Sequence, residues 1–185
     1  MSSQTIDEMI QRYVASTSFA IKLLFDQKLL HHSLVIMYSA IDTCGLLDAP
    51  VTQTEATGTS FKEWVKKYVL AESALEFNDV DLWAARCAVL HTFTPKSKLS
   101  QAGGARQLHY YTGDDSDAHI QKFTSEIRAL DNGKHLPVHY GDLAQAILLG
   151  MGKFMLDLAA LCEADAGYAD RVRDIIQVYE RTLAP

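Results

Sequence analysis

NDVDLWAARCAVLHT, residues 78–92, is the stretch on which the reading of this chain turns. Asn78 or Asp79 suits a helix N-cap, because a short polar side chain there can accept from an orphan backbone N–H. Leu82, Trp83, Ala85, Val89 and Leu90 then recur at helical spacing, so the segment is expected to be a helix with one buried face. The helix is expected to stop soon after His91, because Thr94-Pro95 follows and the residue before a proline disfavours helical backbone. Near its end stand a permanent cation, Arg86, and a titratable imidazole, His91. Arg can grip a phosphate bidentately, and His can move a proton near neutral pH. The pair is enough to cleave a phosphodiester without a metal, and it also reads as two ordinary helix residues.

The helical pattern extends in both directions. Thr5 to about Lys28 carries Ile6, Met9, Ile10, Tyr13 and Val14 at helical spacing, and Thr5 with Glu8 forms a capping-box pattern. Leu29 to Leu47 is apolar almost all round, which marks a central helix, with Gly45 and Asp48-Ala49-Pro50 as its stop. A Thr/Gly-rich loop follows, and Ser60 is expected to start a short helix over Phe61 to Leu70. Ile120 to Leu130 reads as a helix ended by Asp131-Asn132-Gly133, Asp142 to Leu161 as a long apolar helix, and Ala169 to Leu183 as an amphipathic one. Residues 105–112 and 135–140 read as two short strands able to pair as a hairpin. The expected fold is therefore all-α, a helical bundle in one domain over residues 1–185, with a partly irregular insertion after the motif helix.

Composition narrows the function classes. A net charge of −6 argues against a broadly basic nucleic-acid-binding surface. Yet Cys87 to Gly113 contains no Asp or Glu, while Lys96, Lys98 and Arg106 lie inside it. These three are candidate RNA-phosphate contacts, the alternative being a basic loop that balances acidic neighbours. Cys44, Cys87 and Cys162 are odd in number and widely spaced, as expected of free thiols in a reducing, cytoplasmic setting. The N-terminus lacks the features of a signal peptide, and the longest apolar stretch is interrupted by Gln145, Lys153 and Asp157, so no membrane association is expected.

Asp42 is a lone acid near the end of a very apolar helix, where both the helix dipole and burial disfavour it. It needs a partner, and Arg86 is the expected one. Tyr38, one turn earlier, is placed to extend the same network. Five positions on an ideal helix differ by about 140°, so Arg86 and His91 converge only if the helix tightens near its end or two subunits meet. His31-His32 points in two directions on a helix and makes a poor chelating pair. His135, His139 and Tyr140 flank Pro137 and suggest a polar pocket, and His109 and His119 are further histidines without a defined partner. No metal and no cofactor is assigned. Gly150 and Gly152 interrupt a good helix, which close helix approach would explain.

The Arg86 and His91 motif, near the end of a helix in a helical chain of this size, resembles the HEPN superfamily, whose signature is Arg, four to six residues, then His. The resemblance covers about Leu29 to Thr94, and residues 95–132 stand outside it as an insertion. It implies a bundle of four or five helices that dimerises, and a metal-independent endoribonuclease used in defence, toxin–antitoxin or RNA-processing systems. It further implies RNA as substrate, a homodimer, and an antitoxin or other protein partner. Arg86 and His91 would be catalytic, with products bearing a 2′,3′-cyclic phosphate and a 5′-hydroxyl. Two positions depart from the pattern. Cys87 stands where active members often carry a polar residue, and Phe93 stands where one toxin branch carries a modifiable Tyr. The alternative on the same fold is a non-catalytic RNA- or nucleotide-binding or dimerisation module.

Overall fold

The computed structural model describes residues 4–92, 94 and 96–176. Phe93 and residues 177–185, which include the far end of the expected C-terminal helix, lie outside the described residues. Eight α-helices and two short strands are present among the described residues: α1 (Ile6–Asp26), α2 (Leu30–Asp48), α3 (Gly58–Trp64), α4 (Asp79–Thr92), α5 (Lys98–Gln101), β1 (Gln107–Tyr111), α6 (Ala118–Ala129), β2 (His135–His139), α7 (Tyr140–Ala164) and α8 (Ala166–Ile175). The molecule is a helical bundle, as its periodicity predicts.

Two helices form its axis. α2 buries residues on most of its circumference, including Leu34, Met37, Tyr38, Ile41, Cys44 and Leu47. α7 buries one stripe, Leu143, Ile147, Met151, Phe154 and Leu158, at steps of three and four. α7 has the length and hydropathy to cross a membrane, but that stripe packs inside the bundle. α1 packs on both axial helices, fixed at its start by the Thr5–Glu8 capping box. A buried chain of hydroxyls joins the three: Tyr140 donates to Ser33, and Ser33 Oγ donates to the Ile21 carbonyl at 3.1 Å.

Glycine sets two of the closest approaches. A Cβ at Gly150 would lie 2.7 Å from the Tyr68 carbonyl oxygen, so α7 can touch the π-helical continuation of α3 (Val65–Leu70) only without a side chain there. Gly152 faces open space, so close approach explains the first of the two glycines and not the second. Gly45 is an interior packing position rather than a stop: its Cβ would meet the Ser60 carbonyl oxygen at 2.8 Å, and α2 runs on to Asp48. That helix end is closed by Arg171 of α8, whose guanidinium donates to the carbonyls of Leu46, Ala49, Pro50 and Gln53 at 2.6–2.9 Å. A buried cation on the orphan carbonyls satisfies both their hydrogen bonding and the negative end of the dipole. α3 starts three residues earlier than expected. Thr57 is its cap, and Ser60 is the third residue of a reciprocal capping box.

The insertion departs most from expectation. The two strands pair, but in parallel, Gln107 opposite His135 through Tyr111 opposite His139. A hairpin needs a short turn, whereas α6 fills the connection here and allows a parallel crossover. α6 ends as the sequence indicates: Asp131, Asn132 and Gly133 take φ of 42°, 54° and 83°, a left-handed run that Asn, Asp and Gly tolerate best.

Candidate functional site

α4 too begins with a reciprocal cap. Asp81 N–H donates to Asn78 Oδ1 at 2.9 Å, and Asn78 N–H donates to Asp81 Oδ2 at 3.1 Å. The helix then runs through Ala85 and Val89 against the core and carries Arg86 toward α2. There Arg86 Nε and Nη2 donate to the same Asp42 oxygen, Oδ2, at 2.9 and 2.6 Å. The partner expected from sequence is the partner present. The two side chains keep 20% and 15% of their surface, so the pair sits at the boundary of the core and not within it. The indole of Trp83 lies 5.0 Å from the guanidinium carbon and fixes a second direction.

Tyr38 does not extend this network. It is fully buried, and its hydroxyl is hydrogen-bonded to that of Tyr110 on β1. The separation is along the axis: one turn back on the same face of α2, the side chain meets the strand of the insertion, an element whose position local sequence does not reveal. Burial first, and then Tyr110, raises the pKa of the Tyr38 phenol well above its usual value of 10.0, so the hydroxyl is a neutral structural link.

His91 is exposed in the last turn of α4. The α-helix continues through Thr92 without tightening, so Arg86 and His91 remain about 140° and roughly 7.5 Å apart along the axis. Within one chain they do not converge. Lys96 and Lys98, immediately beyond, are both exposed. Arg106 is not available in the same way. Its Nε and Nη2 donate to Asp81 Oδ2 at 2.9 and 2.6 Å, and Nη2 also donates to the Glu76 carbonyl at 2.8 Å. The acid-free stretch finds its counter-charge in a carboxylate 25 residues earlier, so Arg106 anchors the insertion rather than reaching a phosphate. Cys87 is half-buried, and Cys44, Cys87 and Cys162 are free thiols.

The histidines form no single pocket. His135 Nδ1 and His109 Nε2 are hydrogen-bonded at 2.7 Å, His139 pairs with Asp142 at 3.3 Å, and Tyr140 turns inward to Ser33. Among the described residues no three His, Cys, Asp or Glu side chains gather to hold a metal ion. Sequence reasoning missed the His109–His135 contact, because it exists only through the parallel register. Burial, and secondarily His135, pushes the pKa of His109 below 6.5. The folded state then binds the proton less readily than the unfolded chain. The stabilisation is complete above about 6.5 and is lost as pH falls from there toward the folded value. His109→Gln is therefore expected to flatten the decline of melting temperature just below pH 6.5. The difference should be small, because the ring is half-buried and solvent screens it. Identical pH profiles for parent and variant would contradict this.

No protein-family model matches the chain, and no curated protein or solved structure matches it. What fold and site define is a class: a helical bundle with a parallel β-α-β insertion, bearing a carboxylate-oriented arginine and an exposed histidine on one helix.

Proposed function

We propose that this chain is a metal-independent endoribonuclease of HEPN type that works as a homodimer in the cytoplasm. The observation that carries the reading is Arg86 held by Asp42 at the edge of the core, on the same helix that ends in the exposed His91 beside Lys96 and Lys98. A carboxylate-oriented guanidinium is preorganised for charge developing on phosphoryl oxygens. The ribose 2′-oxygen attacks its neighbouring phosphorus and His91 accepts its proton as the P–O5′ bond breaks. The departing 5′-oxygen takes up a proton, leaving a 2′,3′-cyclic phosphate and a 5′-hydroxyl. A dimer that sets two α4 ends side by side supplies the convergence one chain lacks, with Arg86 of one protomer facing the partner subunit's His91. A protein partner such as an antitoxin would act by covering that cleft.

The test is RNA incubated with the purified protein in EDTA. Arg86→Ala and His91→Ala are each expected to lower the cleavage rate by about 10²-fold or more. Cleavage that survives both substitutions would remove these residues from the chemistry. A second reading, a non-catalytic RNA-binding module on the same fold, is favoured by the divergence of Arg86 and His91 within one chain. It predicts strongly salt-dependent RNA binding with no cleavage.

A further inference from the structure

A cavity of about 310 Å³ opens where α4 ends, between α2, β1 and α6. Leu34, Val89 and Leu108 form apolar wall, while Tyr110, Phe123 and His109 contribute rings. Val89 precedes His91 by two residues, and Thr94, also on the wall, follows it by three. Thr94 Oγ1 is tied to Lys96 through its N–H and carbonyl, at 3.4 and 3.3 Å, which holds the lysine-bearing segment at the rim. None of the described residues lining the cavity is acidic, although the chain carries a net charge of −6. Most of the lining belongs to the acid-free segment between Cys87 and Gly113.

We propose that this cavity receives one unstacked nucleobase of a single-stranded RNA, with the attached phosphate toward Lys96 and Lys98. The ligand class rests on the ribonuclease reading above. Its volume is at the low end for small-molecule sites, which suits one base and not a run of them. Single-stranded RNA is read by splaying a base onto aromatic or imidazole rings and hydrogen-bonding its edge, and this wall offers rings with polar atoms between them. A carboxylate-free wall leaves nothing to repel the phosphate. His109 supports the fit through Nδ1, since its Nε2 is already bound to His135 and burial favours the neutral ring. The pocket is built by the insertion, so it would give the enzyme a base preference that the Arg86 and His91 chemistry alone does not supply.

The experiment titrates the isotopically labelled protein with the four 5′-ribonucleoside monophosphates and with ribose 5-phosphate, following amide shifts at His31, Leu108, His109, Tyr110 and Phe123. At least one nucleotide is expected to shift these amides, and ribose 5-phosphate is not. A 2′-deoxy hexanucleotide, which the proposed chemistry cannot cleave, should compete for the same site. Phe123→Ala is expected to weaken nucleotide binding about fivefold or more. Thr94→Trp, on the exposed rim, should block binding without touching the core. Equal shifts with ribose 5-phosphate, or nucleotide binding that the hexanucleotide cannot displace, would overturn the proposal. Binding without RNA cleavage by the parent would sustain the pocket and remove the nuclease. Cleavage with an unchanged KM in Phe123→Ala, and no shifts at these amides, would remove the pocket and leave the nuclease standing.

Discussion

Asp81→Ala is expected to lower the unfolding free energy by about 4 kcal/mol. The Asp81 side chain is only 3% exposed, and its two oxygens accept four hydrogen bonds. One comes from the backbone N–H of Asn78 and closes the N-terminal cap of α4. The others come from Arg106: its backbone N–H at 2.7 Å, Nε at 2.9 Å and Nη2 at 2.6 Å. Truncation thus opens a helix cap and strands a partly buried guanidinium at once. A loss of that size would lower the melting temperature by roughly 10 °C in a domain of this length. Asp81→Asn keeps the shape and the cap acceptor but removes the charge, so its cost should be about half. Urea unfolding checks both, and a cost below about 1 kcal/mol for Asp81→Ala would show that Arg106 finds other partners. Hydrogen exchange should localise the damage: amides of β1 should lose protection before those of α2 and α7.

The fate of Arg106 shows where sequence reasoning stops. Counting charges along residues 87–113 correctly found no acid, but electrostatic partners are chosen in space. Asp81 is the third residue of the cap that starts at Asn78, and nothing local marks it as the anchor of a segment 25 residues on. Asp42 was easier. An acid in an apolar helix must be compensated, and the expected partner, Arg86, is the one present. α1 is legible because a 3.6-residue period writes its buried face into the sequence, and α2 and α7 because long apolar stretches mark central helices. Parallel pairing of β1 with β2 is not, because two short strands carry no mark of direction. With that pairing went the His109–His135 contact, the Tyr38–Tyr110 hydroxyl link and the cavity beneath α6, all of which depend on the insertion's placement. The guanidinium of Arg171 escaped notice too, since four carbonyls offered by a helix end and its following loop have no sequence signature.

On the ribonuclease reading proposed above, Asp42→Ala is expected to reduce RNA cleavage by about 10²-fold with little change in KM, while costing about 2 kcal/mol of stability. The two consequences have different origins. Stability falls because a guanidinium at the core boundary loses a partner that accepts at 2.6 and 2.9 Å. Activity falls because Arg86 loses the direction that aims it, even though its charge remains. The stacking of Trp83 on the guanidinium restrains one face only and cannot replace the carboxylate. Arg86→Lys should not rescue the function, because an ammonium cannot reproduce a two-point hold on a single oxygen and still present a planar edge to phosphate. A double-mutant cycle separates the roles. If Asp42 acts through Arg86, Asp42→Ala combined with Arg86→Ala should cleave no more slowly than Arg86→Ala alone, and should be more stable than the sum of the two single losses. If Asp42 only holds the fold, its removal will lower the urea midpoint while the rate per folded molecule stays at the parent value. Independent, multiplicative losses of activity would show that each side chain meets the substrate separately, which would make Asp42 a catalytic residue rather than a positioning one.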